Sequence, residues 1–443
     1  MTHSRTPFPD RRTALKLAAF AVAGGLDALA VPMAGSVAAA ADAPTPDSKL
    51  GPKPDSRLEP QPSPQLDPKP AVLKTLAGLK SNQAVVLGKA DVVGEFNDTA
   101  RKWELHRTGP KGRDFTIKMC WAPDRRRALF CGANHGVPHR LNDVWEFDLP
   151  SLTWAMLYAP DLNRGYVDLG KDTSDCEFKD GILITKRGGP AVIAHTWWGL
   201  TYDPRKKALL FMNTWVTDRK KAVRDLGGDP AELYDGPPLW AFFPAERKWR
   251  YFKAPKPSPT AIFGGMLEYV PELGGSIWHA NNWQMHGTWL HDFDKDTWRD
   301  LKANGGGKPF EAQAAAPEQI GYYDPQRKLI IVQRHHDTHH FDVAKNEWKK
   351  VLTGDKDDGR SPYGHDARSV MYHDPVSGHG LLVQFQTNTV WAYEPDKSTW
   401  TKLDPEGDPM PTGGKRLAYV DPELNAVVVI DGTTVWAYRY RSA

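Results

Sequence analysis

Histidine and arginine gather in a few short stretches of this chain. His335-His336-Asp337-Thr338-His339-His340 places four imidazoles within six residues, a density able to bind zinc, copper or manganese. His365-Asp366 is followed by Arg368, which sets a proton carrier that titrates near neutral pH beside a permanent cation. Other polar clusters are Asn134-His135, His195 with Trp197 and Trp198, Asn281-Asn282, Arg334 before His335, and Lys415-Arg416. Together these types suit a polar, anionic or polyhydroxylated molecule: arginine forks onto carboxylate, amides bond hydroxyls, and indoles stack on sugar faces. With histidine as the base and arginine holding the acid group, the matching reaction is proton abstraction next to a carboxylate.

What positions these groups is a repeat. Asp143 to Trp154 reads DVWEFDLPSLTW, and LWAFFPAERKW, TWLHDFDKDTW, THHFDVAKNEW and VWAYEPDKSTW follow it. Each of the five places an aromatic nine positions before a tryptophan: Trp145 and Trp154, Trp240 and Trp249, Trp289 and Trp298, His339 and Trp348, Trp391 and Trp400. The alternation on either side of a polar turn is that of a β-hairpin. Upstream of each lies a second hairpin, marked by Pro123, Pro204, Pro271, Pro325 or Pro375 and then an apolar run, with a sixth at Asp421-Pro422. Two hairpins in series form a four-stranded meander, and repeated meanders predict the all-β class and a β-propeller.

The last unit reaches Val435-Trp436-Ala437-Tyr438 and the chain stops at Ala443, so its second tryptophan is lacking. ARKWELH around Trp103 matches DTWRDL around Trp298 and STWTKL around Trp400. An N-terminal strand there is expected to close the last blade, giving six blades with few open edges. At this point residues 99 to 440 resemble the Kelch family, whose blades carry tryptophans in the third and fourth strands around a short polar turn. The likeness is strongest in LNDVWEFDLPSLTW. It departs from the family at the end of the second strand, where Kelch repeats have paired glycines and this chain has Cys131-Gly132, Met212-Asn213, Arg334-His335 and Asp431-Gly432. Exported six-bladed Kelch proteins that isomerise sialic acid are a precedent for sugar chemistry on this architecture.

Short turns join the first and second strands, and the third and fourth, at one end of the expected ring. The long connections, residues 155–193 and 216–238, therefore rise over the other end, where loops supply most functional groups on a rigid scaffold. Aligned on the prolines, His365, His195, Arg368 and Arg416 become the candidate catalytic residues at that mouth. His135, Asn134, Trp198, Asn281, Asn282, Arg334, His335 and Asp366 become candidate ligand-binding residues. In the histidine run His339 takes the structural tryptophan position, and a tight hairpin splays neighbours to opposite faces. No cofactor is expected; His335, His336 and His340 are the secondary candidates for a divalent metal.

Arg11-Arg12 before Thr13-Ala14-Leu15-Lys16, a weakly apolar stretch and the run Ala38 to Ala41 resemble a twin-arginine signal peptide over residues 1–41, with Ala14 where the pattern prefers phenylalanine. Asp27, Gly24-Gly25 and Pro32 interrupt the apolar run too often for a span of about 20 residues. The resemblance implies export to the periplasm and cleavage between Ala39 and Ala43. Residues 42–70 are a proline-rich tether, 71–98 an apolar segment packing outside the ring, and 99–443 the propeller. A formal charge of +3, falling to about +1 without the signal, gives no reason to expect a nucleic-acid partner, and with the interrupted apolar run cleaved off no membrane span is expected. Arg125-Arg126-Arg127 and Arg205-Lys206-Lys207 read as solvated turn charges. Cys120 and Cys131 are expected opposite each other across the first hairpin, where an oxidising compartment would let them bond. No Gly-x-Ser-x-Gly, phosphate loop, His-Glu-x-x-His or Cys-x-x-Cys occurs. The sequence thus predicts an exported binding module for a glycan, another small polar ligand or an envelope protein. The alternative is a carbohydrate-active enzyme, a uronate lyase or sugar-acid epimerase, using the same His and Arg.

Overall fold

A computed structural model describes residues 65–442 apart from 114–115, 134–139, 163–168, 194–195, 213–218, 235, 237, 260–264, 282–285, 307–318, 366–367 and the side chains of Asn281 and His286. Aspartate makes the hairpins. Before the proline of a first turn, Asp203 Oδ1 accepts the Arg205 and Lys206 N–H groups, Asp324 those of Gln326 and Arg327, and Asp421 those of Glu423 and Leu424. In the second turn Asp292 and Asp342 do the same. The side chain stands in for a backbone acceptor and pins a tight turn. A residue in the left-handed region then realigns the strands: Arg126 (φ 55°), Lys207 (φ 53°), Lys328 (φ 57°) and Asn425 (φ 51°).

Six antiparallel meanders result. Blade one contains Cys120–Ala122, Arg127–Phe130, Val144–Asp148 and Thr153–Tyr158. Blade two contains Leu200–Asp203, Ala208–Met212, Leu239–Phe243 and Lys248–Phe252. Met266–Val270, Gly275–Asn281, His286–Asp292 and Thr297–Asp300 form blade three. Gln319–Asp324, Leu329–Arg334, Asp337–Asp342 and Glu347–Leu352 form blade four. Blade five has Ser369–Asp374, His379–Gln384, Thr389–Glu394 and Thr399–Leu403. First strands touch first strands from blade to blade around a closed ring, so the protein is a six-bladed β-propeller.

The repeated tryptophans fill the space between blades. Trp348 of blade four donates through Nε1 to Thr288 Oγ1 of blade three at 2.8 Å, and Trp400 of blade five to Thr338 Oγ1 of blade four at 2.9 Å. Trp145 meets Trp154, and Trp240 meets Trp249, edge to face. Truncating such a buried indole costs about 3–5 kcal/mol, which explains why the spacing is kept.

Blade six holds Arg416–Asp421, Ala426–Asp431 and Thr434–Arg439, and an N-terminal strand completes it. That strand is Gln83–Lys89, not the stretch around Trp103. Asn97 caps a short helix at Asp98–Lys102 by accepting the Ala100 N–H, and a second short helix covers Leu105–Thr108, so ARKWELH is helical. Opposite Tyr438, where other blades pair an aromatic with tryptophan, stands Ala84. The chain then crosses the seam: Asp91–Gly94 runs parallel to Thr153–Tyr158 as a fifth strand of blade one. One segment therefore clasps blades six and one together.

The two long connections do rise at the same end. Among their described residues, the hairpin of Cys176–Lys179 and Ile182–Thr185 packs on the helix Arg219–Asp225. Leu169, Cys176, Leu183, Ala191, Val192, Ala222 and Val223 give them a small core of their own.

Polar pairs staple the seams at the short-turn end. Tyr202 bonds Asp124, Arg205 and Lys206 pair with Asp294, and Tyr323 bonds Glu272. Arg327 reaches Asp396, His379 meets Tyr440 Oη, and Arg126 pairs with Glu423. The basic triplets are thus not simply solvated. Arg126, Arg205 and Lys206 join blades, while Arg125 and Arg127 pair with the buried Glu146. The cysteine expectation also changes. Cys120 faces Leu129, two places short of Cys131, because the turn pairs Ala122 with Arg127; Cys120 and Cys131 are both buried free thiols.

Candidate functional site

The axis of the ring is filled. Tyr372 of blade five donates its hydroxyl to the Ala418 carbonyl of blade six at 2.6 Å and accepts the Met119 N–H beside blade one at 3.2 Å. From the approach to blade two, Trp198 Nε1 donates to the Gly321 carbonyl of blade four at 2.8 Å. Lys118 pairs with Glu268 of blade three and lies 4.9 Å from the Trp198 ring centre. Burial raises the Glu268 carboxyl above the ordinary carboxylate range, against the pull of Lys118. Trp198 is fully buried in this plug and has no open face for a sugar, contrary to its place among the ligand residues.

At the loop-rich end of the blade four and five seam, three histidines meet. The blade four hairpin turns through His335, in the left-handed region at φ 51°, and His336. The loop between the blades comes back against that turn: His335 donates its N–H to the Gly364 carbonyl at 3.1 Å, and Gly364 returns one to His335 at 2.7 Å. Glycine is required there, since a Cβ at Gly364 would lie 2.5 Å from the Gln333 carbonyl oxygen. The approach sets three imidazoles about the half-buried Tyr363 ring. His335 stacks parallel to it with centroids 5.3 Å apart, His336 stands at 5.3 Å and His365 at 5.8 Å. His336 Nδ1 donates to the Ser361 carbonyl at 3.1 Å, and the Ser361 hydroxyl to the His336 carbonyl at 2.6 Å.

The rest of the histidine run goes elsewhere. His339 is buried in the tryptophan position, and His340 Nε2 meets Tyr393 Oη of blade five at 2.8 Å. Burial lowers both to about 4, so both are neutral at pH 7. His340 therefore has a different partner from His335 and His336, and the three metal candidates do not act as one set. No group of three or more metal-ligating side chains is found among the described residues.

The arginines divide likewise. Arg416 is buried, bonds Asn388 and the Pro411 and Phe385 carbonyls, and lies 4.5 Å from the Phe385 ring centre. Arg334 is buried at the end of its strand. Arg113 is locked on Asp143 at 2.6 Å and on the Gly132 carbonyl at 2.7 Å. Arg368 is exposed and donates to Gln386 Oε1 at 3.1 Å. Asn134, His135, His195, Asn282 and Asp366 lie outside the described residues, as does the Asn281 side chain. Tyr363 was not among the sequence candidates. Its signal was the aromatic between two histidine groups in SPYGHDAR, legible only once Gly364 was known to bring that loop onto the turn. A separate cleft, lined by Glu95, Phe96, Asn97, Ala159 and Arg187, lies beside the fifth strand of blade one and shares no residue with the imidazole cluster.

The fold and rim define a six-bladed β-propeller with an axial plug and a loop-rich end carrying imidazoles. No family model matches the chain, and no curated protein matches it. Among solved structures it is similar to TolB from Acinetobacter baumannii, at 13% identity and a TM-score of 0.36, over 68% of this chain and 56% of that one. The likeness thus spans little more than half the length of that structure.

Proposed function

We propose that the protein is an exported Kelch-type propeller that serves as a binding module, holding a polar, hydroxylated ligand at the rim between blades four and five. The observation that carries this reading is the meeting of His335, His336 and His365 around Tyr363 at the loop-rich end. Imidazole and phenol present both flat faces and hydrogen-bonding edges, the combination that suits a sugar or similar polyol. The filled axis supports a rim site, because a ligand at the loop end cannot pass through to the other face. The Kelch assignment is supported by tryptophans in third and fourth strands, and export by Arg11-Arg12 ahead of a short apolar stretch.

A thermal-shift panel of neutral and acidic mono- and oligosaccharides tests the site, run on the protein and on His335→Ala and His365→Ala. At least one sugar should raise the melting temperature of the parent and have little effect on either variant. A shift retained in both variants, or none from any sugar, refutes the reading. Export is tested by changing Arg11 and Arg12 to lysine, which should hold the protein in the cytoplasm; unchanged periplasmic recovery counts against a twin-arginine route.

A further inference from the structure

Of the arginines that the repeats carry to the mouth, Arg113, Arg334 and Arg416 are committed to the fold. Arg113 is bound to Asp143, Arg416 has three oxygen partners, and Arg334 is buried. Arg368 differs: it is exposed, and no ion pair to it occurs among the described residues. It is nevertheless not a loose surface cation. Its backbone N–H donates to the His365 carbonyl at 2.9 Å, and its carbonyl accepts the Phe385 N–H at 2.7 Å. Gln386 Oε1 then takes one edge of the guanidinium at 3.1 Å. Backbone and side chain are thus both fixed by the turn of blade five, three residues along from His365. A guanidinium anchored on one edge by a neutral amide keeps its charge and its other N–H groups for a flat oxyanion.

We propose that Arg368 seats a carboxylate, so that the module's ligand is an acidic hydroxylated molecule whose polyol part lies toward the half-buried Tyr363. This rests on the binding reading above and adds the charge class of the ligand. Gln386 acts as a positioning residue, because its contact orients Arg368 rather than the ligand.

Isothermal titration of the protein with trigalacturonate and with cellotriose, at low and high salt, tests the assignment. Trigalacturonate should bind more tightly than the neutral trimer, weaken with salt as a charge contact does, and lose roughly tenfold or more in affinity in Arg368→Gln. Gln386→Ala should cost several-fold for the acid alone, while cellotriose should respond to neither change. Equal affinity for both trimers, with Arg368→Gln without effect and His365→Ala weakening both, overturns the carboxylate seat and leaves the rim site standing. Absence of heat from both at millimolar concentration overturns both readings.

Discussion

Acid should loosen blade four before it damages the rest of the ring. His339 and His340 sit side by side in one strand, and burial lowers each from 6.5 to about 4. The unfolded chain therefore takes up protons between pH 6.5 and about 4 that the folded one refuses. For a base held neutral the sign is fixed: stability is complete above pH 6.5 and falls as pH drops through that window. Shifts of this size are worth about 3 kcal/mol per group over the whole window, and about 2 kcal/mol each between pH 7.5 and pH 5. Asp421 works the other way, since burial raises it from 3.8 to about 6 and returns about 1 kcal/mol at pH 5. These three groups together cost about 2–3 kcal/mol at pH 5, a fall of roughly 3–4 °C in melting temperature for a domain of this size.

Scanning calorimetry at pH 7.5 and pH 5 reads that fall, and His339→Gln isolates its source. Glutamine keeps the polarity without the titration, so whatever the variant loses at both pH values, most of the difference between them should vanish. The reasoning fails if the parent melts at one temperature at both pH values, or if His339→Gln keeps the full difference.

Arg327 links blades four and five by pairing with the buried Asp324 at 2.9 Å, reaching Asp396 and bonding the Gly378 carbonyl. Arg327→Met should cost about 2–4 kcal/mol because it strands a buried carboxylate, and Arg327→Met with Asp324→Asn should recover part of it; thermal melts of the single and double variants measure both. The closing strand makes a separate prediction. A chain beginning at residue 64 should melt cooperatively as a monomer, whereas one beginning at residue 99 should expose the edge of Thr434–Arg439 and self-associate. Size-exclusion chromatography distinguishes them, and a monomeric chain from residue 99 would refute the assignment of Gln83–Lys89.

The blades were legible because their signal is local. A hairpin needs only its own alternation, an aspartate to pin the turn and a tryptophan to fill the gap beside it. The closing strand escaped the same search for a physical reason: at Ala84 the space opposite Tyr438 is filled without an indole, so no tryptophan marks it. Trp103, which has the expected neighbours, is drawn into helical turns by the Asn97 cap. The roles of Arg126, Arg205 and Lys206 were hidden because their acids come from other blades, and nothing in a turn sequence shows which carboxylate the ring will bring opposite. The rim is an intermediate case. Its histidines stood out by type, but their grouping depends on Gly364 bringing one loop onto another hairpin.

The two ends of the ring use their polar groups for opposite purposes. At the short-turn end all six seams carry a polar pair, and the partners come from neighbouring blades, so their chemistry is consumed in holding the ring shut. The axis is spent likewise, on Lys118, Glu268, Trp198 and Tyr372. Histidines within the strands follow this pattern: His339, His340, His373 and His379 are all shifted downward by burial and pack as neutral groups. His335 and His336 stand half-buried in a turn at the loop-rich end, and His365 lies buried in the loop that packs on that turn. Arg368 differs from Arg113 and Arg416, with its charge left exposed. At the opposite end a carboxylate is the partner at five of the six seams, the exception being His379 with Tyr440. The blade four and five rim sets its imidazoles around Tyr363 and bonds Arg368 to a neutral amide, and that setting is what the binding proposal rests on.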